Sequence, residues 1–208
     1  MSKLLYIEAS PLKLRSHTVA VARHFLDAFA SAHPGDDIES IDLWQTKLPP
    51  FDAETIEAKF AVLRRQQFTP EQFSRWDAVR TVSRHFNSAD KYVFSVPMWN
   101  FGVPYPLKHY IDVVTLVGEN WTWSRERGYG TVFSGKKALM IYASANLHEQ
   151  RDENASDFQK PYLRKWLQFI GVEDVREITI APTLADTEDV AKIRSAAQDE
   201  ATQLAAAF

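Results

Sequence analysis

Five short apolar runs recur along the chain, Leu4–Ile7, Ile38–Leu43, Lys91–Phe94, Lys137–Ser144 and Glu177–Ala181, with longer stretches of helical spacing between them. The runs are short for helices, so they read as strands, with Lys91–Phe94, apolar and β-branched, as a buried one. The intervening stretches repeat apolar residues on one helical face: Val21, Phe25 and Phe29, then Leu107, Tyr110, Ile111 and Val114, and finally Val190, Ile193 and Ala197. Such alternation predicts an α/β fold, a doubly wound five-stranded parallel sheet in the order 2-1-3-4-5 with helices on both faces. Across 208 residues, a single domain buries roughly 70% of its unfolded surface. The chain has no internal repeat and no low-complexity linker, so residues 1–208 are expected to form one domain.

The connection between the second and third strands is longer than a compact crossover. From Asp52 to Ser88 it reads as a helical insertion. Ile56, Phe60 and Leu63 form one apolar stripe. Thr69-Pro70-Glu71-Gln72 then restarts a helix, with Thr69 as N-cap, Pro70 at the first helical position and Gln72 placed for a capping box. Phe73, Trp76, Val79, Val82 and Phe86 give this second helix its buried side. The first half has fewer positions committed to the core, which leaves it free to reach a partner subunit.

Charge and cysteine content narrow the function. Lys and Arg number 24 against 27 Asp and Glu, a net charge of −3, with a pI near 6.1. That balance argues against nucleic acid or an anionic membrane as partner. Cysteine is absent, which excludes disulfides, thiolate metal sites and cysteine nucleophiles, and no metal site is expected. The apolar run at Leu4 is too short for a signal peptide and no span approaches transmembrane length, so a soluble cytoplasmic protein is expected.

Three loops that follow strands carry side chains that a plain connection does not need. After the first strand, Ser10, Ser16 and Thr18 lead into a helix, an arrangement that cradles a phosphate on hydroxyls and unpaired N–H groups. Ser16 as an ordinary N-cap accounts for the same residue, and neither a GxGxxG nor a P-loop pattern is present. After the third strand, Pro97-Met98-Trp99-Asn100-Phe101 and Gly102-Val103-Pro104-Tyr105-Pro106 form a stiff loop of aromatics and one amide. It suits a flat heteroaromatic ligand with a hydrogen-bonding edge, or simply packs against the sheet. After the fourth strand comes Ala145-Asn146-Leu147-His148. Farther along, Gly118–Ser124 reads as a loop whose Trp121 and Trp123 either plug the helix layer or wall a ligand site. A helix from about Ala155 to Ile170 stops at Gly171 and places Trp166 close to Phe169. In the 2-1-3-4-5 order the loops after strands one, three and four converge at the switch point, which favours a joint ligand site.

With these loops in place, the chain resembles the FMN-dependent NADH-azoreductase and NADH:quinone oxidoreductase family of flavodoxin-like proteins along nearly its whole length. The resemblance rests on Pro97-Met98-Trp99-Asn100-Phe101, on Leu107-Lys108-His109-Tyr110-Ile111-Asp112, on Ser134-Gly135-Lys136-Lys137-Ala138, and on Pro161-Tyr162-Leu163 and Phe169-Ile170-Gly171. It implies a flavodoxin-like fold that binds FMN, takes electrons from NADH (with NADPH an admissible donor) and passes two of them to quinones or azo compounds in a ping-pong cycle. It also implies a homodimer. Ser10 and Ser16-His17-Thr18 would then hold the phosphate, while Pro97, Met98, Trp99, Asn100 and Phe101 would lie along the ring. Ser144, Ala145, Asn146 and Leu147 stand where many members have a serine and paired glycines, a departure at a point where backbone approaches the flavin. Trp123 and Phe169 match positions on the substrate side, Phe169 reaching it across the dimer interface. No side chain is assigned as nucleophile; His17 and His109 fit surface or helix packing, and His148 is the candidate for proton delivery. The rival reading is a flavodoxin-like FMN electron carrier with no small-molecule substrate of its own.

Overall fold

A computed structural model of the chain describes residues 1–148 and 156–208. The elements run β1 (Lys3–Glu8), a 3-10 turn (Lys13–Arg15), α1 (His17–Ala32), β2 (Asp37–Asp42), α2 (Ala53–Leu63), α3 (Pro70–Asn87), β3 (Lys91–Pro97) and α4 (Tyr105–Val114). Then follow β4 (Trp121–Ser124), β5 (Gly128–Thr131), β6 (Lys137–Ala143), α5 (Gln159–Ile170), β7 (Asp174–Ile180) and α6 (Thr187–Ala205).

Five strands form one parallel sheet in the order β2-β1-β3-β6-β7. The numbering departs from 2-1-3-4-5 because of β4 and β5, an antiparallel pair outside the sheet, the first from the stretch read as a loop and the second from the residues just after it. Their strands, Trp-Thr-Trp-Ser and Gly-Tyr-Gly-Thr, are only four residues long, too short for their alternation to stand out from a loop. Sheet strands also outrun their apolar runs: β3 continues to Pro97, paired with Ala143, and the edge strand β7 starts at Asp174. An edge strand needs apolar residues on only part of its surface, so its start is hidden in polar sequence. The helix expected from about Ala155 begins at Gln159; Ala155 itself lies outside the described residues.

Alternation along the strands divides the core into two layers, since successive side chains point to opposite faces. Leu4, Tyr6, Val93, Leu139, Ile141 and Ile178 pack against α1 and α6 through Val21, Phe25, Phe29, Ala197 and Ala201. Leu5, Ile7, Tyr92, Phe94, Met140 and Tyr142 pack against α3, α4 and α5 through Phe86, Leu107, Tyr110, Leu163 and Trp166. The capping box at Thr69 and Gln72 forms as the sequence predicts, and Trp76, Val79 and Phe86 are buried, but Phe73 is 56% exposed. It lies on the first turn of α3, where its ring meets Phe68 at 6.4 Å between centres, whereas Trp76 and Val79 pack with Val113 and Leu116.

Gly171 ends α5 in the left-handed conformation, at φ 91°. A Cβ there would stand 2.7 Å from the Phe133 carbonyl oxygen and 2.8 Å from the Thr131 side chain, so this glycine lets the β4–β5 hairpin close against the helix end. Gly171→Ala is expected to destabilise the protein by about 2–4 kcal/mol, from left-handed strain plus overlap. Urea unfolding checks this as a lower midpoint at unchanged slope; a loss below about 0.5 kcal/mol would mean the hairpin yields freely.

Candidate functional site

The loops after β1, β3 and β6 meet at the carboxyl edge of the sheet. The Ala9 N–H donates to the Ser95 carbonyl at 3.1 Å and the Met98 N–H to the Ala143 carbonyl at 2.7 Å, so neighbouring loops leave their strands already fastened together. In the first loop, Ser10, Ser16 and Thr18 are all buried. The Ser16 and Thr18 hydroxyls share a hydrogen bond of 3.0 Å. Ser16 is the N-cap of α1, but it accepts from the Val19 N–H at 3.5 Å, the long limit of such a bond. The first N–H groups of a helix have no acceptor within it, and the first turn of α1 has no acidic residue to use them. His17 Nδ1 is buried with no partner among the described residues. Burial, and then the charge of Arg194, hold the His17 pKa below its ordinary value, so the ring is neutral at pH 7. Buried hydroxyls, unspent N–H groups, a positive helix end and an unpartnered ring nitrogen fit a phosphate group.

The second loop contains a strained turn. Trp99 and Gly102 exchange two backbone hydrogen bonds, of 3.1 and 2.9 Å, around Asn100 at φ 46° and Phe101 at φ 69°. Two consecutive positive φ values define a type I′ turn, for which Asn-Gly is the favourable pair. Phenylalanine in that position costs on the order of 1–3 kcal/mol, and with the ring 55% exposed burial returns little of it. The Phe158 N–H, 2.9 Å from the Phe101 carbonyl, holds the turn from the far side. The result is an amide and a phenyl ring displayed at the sheet edge.

In the third loop, Ser144 donates from its hydroxyl to the Asn146 carbonyl at 2.8 Å. Neither Ala145 nor Asn146 has a positive φ, so their side chains sit there without backbone strain. The loop after β7 closes over it: the Thr183 N–H and hydroxyl both donate to the Ser144 carbonyl, at 3.0 and 3.1 Å, and the Leu184 N–H donates to the Ala145 carbonyl. His148 Nδ1 lies 3.3 Å from the Ser156 hydroxyl.

Trp44 belongs to this edge and was missed by sequence reading; Tyr105, in the third-strand loop, joins it. The Trp44 indole N–H donates to the Ala9 carbonyl at 3.0 Å, and its ring lies 5.5 Å from Trp99 and 5.3 Å from Tyr105. A tryptophan two residues beyond β2 was the available signal. Trp99 is therefore packed in an aromatic cluster and braces the loop. The His109 Nε2–H donates to the Pro49 carbonyl at 2.9 Å, a packing contact.

Trp123 and Phe169 are not gathered into the same group within one chain. Trp123 lines a cavity of about 480 Å³ with Val62, Leu63 and Arg65. Phe169 packs on Trp121 and Tyr129, with ring centres 5.5 and 5.8 Å away, and lines an apolar groove of about 640 Å³. The apolar stripe of α2, Ile56, Phe60 and Leu63, forms the opposite wall of that groove. Trp121 is thus a buried plug, whereas Trp123 is 54% exposed.

A doubly wound parallel sheet with buried hydroxyls after its first strand and a displayed amide after its third defines a class of α/β protein that takes ligands at its topological switch point. A family model described as "Flavodoxin-like fold" matches residues 2–205. A protein of Desulfotalea psychrophila named FMN-dependent NADH:quinone oxidoreductase is 40% identical over 205 residues, covering 99% of this chain and 97% of that protein. One from Burkholderia lata, named FMN-dependent NADH:quinone oxidoreductase 9, is 37% identical over the whole of both chains. Among solved structures, an FMN-dependent NADH-azoreductase of Bacillus anthracis in complex with FMN superposes with a TM-score of 0.85 at 25% identity, covering 99% of this chain and all of that one. The chain belongs to the flavodoxin-like family, in the branch of the FMN-dependent NADH:quinone oxidoreductases.

The strain in the second loop is measurable. Phe101→Gly removes the Cβ conflict and is expected to stabilise the apoprotein by about 0.5–1 kcal/mol. Chemical unfolding reads the change, and a destabilised variant would show that the ring, despite its exposure, contributes more than the strain.

Proposed function

We propose that this protein is an FMN-dependent NADH:quinone oxidoreductase with azoreductase activity. The observation that carries the reading is the convergence of the hydroxyl cradle and the strained Asn100-Phe101 turn on one sheet edge, in a chain 40% identical to a protein named for that activity. When bound, FMN supplies two-electron chemistry between NADH, or NADPH, and a quinone or azo acceptor. The protein's part is to bind, orient and tune. Ser10, Ser16, His17 and Thr18 with the α1 N–H groups hold the phosphate, a helix-end contribution of about 0.3–2 kcal/mol. Pro97, Met98, Trp99, Asn100 and Phe101, with Ser144, Ala145, Asn146 and Leu147, form the ring's binding edge. The Asn100 amide supplies a pre-aimed donor for negative charge. Trp123 lines the acceptor side, and Phe169 reaches it across the dimer interface.

The same reading makes residues 1–208 one FMN-binding domain with a helical insertion at about 52–88, working as a homodimer in the cytoplasm. The exposed stripe of Ile56, Phe60 and Leu63 supports the dimer, because it leaves apolar surface at the rim of the groove that holds Phe169. No helix among the described residues is long and apolar enough to cross a membrane. His148, bonded to Ser156, is the proton-delivery candidate of this reading. The exposed aromatics at the edge, Phe101 and Tyr105, favour a small-molecule acceptor over the electron-carrier alternative.

Two measurements test this. Purified protein incubated with FMN is titrated anaerobically with NADH while the absorbance is followed; the flavin bands are expected to bleach in a single two-electron phase. Bound flavin that NADH leaves yellow would establish the carrier instead. In the second, Ser16→Ala/Thr18→Ala should weaken FMN binding by about tenfold or more, the loss of two hydroxyl contacts to a charged group, while the apoprotein melts within a few degrees of wild type. Equal FMN affinity would return these residues to helix capping.

A further inference from the structure

The first loop contains a lysine that the proposed chemistry does not use. Lys13 lies in the 3-10 turn at φ 52°. Its Nζ is 2.8 Å from Glu8 Oε1 and also contacts Asp42 Oδ2. Glu8 and Asp42 are the last residues of β1 and β2 and stand opposite each other in the ladder. Two carboxylates are therefore fixed side by side at the sheet edge where the cradle begins. The backbone of the same residue also matters: the Lys13 carbonyl accepts the Ser16 N–H at 2.9 Å, setting the position of the cap residue whose hydroxyl pairs with Thr18. Burial lowers the lysine's pKa, but its bonds to Asp42 and Glu8 outweigh that and hold it above the ordinary value, so it is charged throughout the working range.

We infer that Lys13 is a positioning residue for phosphate binding: it clamps the first loop to β1 and β2 and neutralises the Glu8 and Asp42 carboxylates, so that the cradle attracts a phosphate dianion. This rests on the reading that FMN is the ligand. Lys13 differs from a P-loop lysine, which reaches the phosphate itself, because its ammonium is already held by two carboxylates. Without it, two uncompensated negative charges would face the incoming anion across a partly exposed, screened distance.

The test compares FMN with riboflavin, which has the same ring and no phosphate, by quenching of flavin fluorescence on titration with apoprotein. Wild type is expected to bind FMN more tightly than riboflavin. Lys13→Gln, which keeps the side-chain stem, should lose about five- to tenfold in FMN affinity, the scale of one partly exposed charge interaction, with riboflavin affinity within about twofold of wild type. Adding Glu8→Gln to that variant should restore most of the FMN affinity, because it removes the charge that Lys13 offsets. Lys13→Arg should retain wild-type discrimination. Equal losses for both flavins would reduce Lys13 to a structural brace, and absence of rescue by Glu8→Gln would make it a direct phosphate ligand; either overturns the inference. A wild type that binds both flavins equally would instead remove the phosphate reading of the whole loop.

Discussion

The structure depends on β1 being hydrogen-bonded on both sides by parallel strands. From β1 the chain turns into α1 on one face of the sheet and comes back as β2 at one edge. It then crosses over β1 to enter β3 on the other side, and leaves β3 into α4 on the opposite face. Loops that depart to opposite faces leave a crevice between them at the carboxyl ends of the strands. Parallel pairing also means that every strand ends at this same edge. The crevice is thus a product of the backbone path, and the residues that line it are free to be chosen for chemistry.

What lines it is less stable than it need be. Asn100 and Phe101 occupy left-handed backbone where glycine is the easy residue, and buried Ser10, Ser16 and Thr18 share few bonds among themselves. Such strain persists only where the surroundings over-determine it. Here they do, through the bonds of Met98 to Ala143 and Phe158 to Phe101 and through the Trp44, Trp99 and Tyr105 rings. A rigid loop loses little freedom on binding, so more of the interaction energy appears as affinity. Oriented donors at its tip are also in place before charge develops.

The parts that sequence reading missed or misplaced share one cause. The β4–β5 hairpin is too short to be legible alone; it exists because Trp121 reaches Tyr129 and Phe169, and because Gly171 admits its backbone. The α2 stripe was legible as apolar, but whether it met the core or a groove depended on where α5 and the hairpin lay. Trp44 was passed over because its importance comes from Ala9 and Trp99, which are distant in sequence. Local patterns predict the surface that an element must bury, and they are silent on which distant element comes to cover it.

The sequence by itself determined the parallel α/β architecture, because doubly buried strands and one-sided helices have few ways to satisfy their apolar faces together. It also determined the cap and breaker positions at Thr69 and Gly171 and the three loops that meet at the edge, since capping chemistry and strand-end loops are local or topological facts. Only the tertiary structure decided the left-handed turn at Asn100 and Phe101, the pairing of Lys13 with two strand-end carboxylates, and the separation of Trp123 from Phe169 within one chain. Each of these is a relation between atoms far apart along the chain, and their distances are set by packing rather than by any pattern of neighbours.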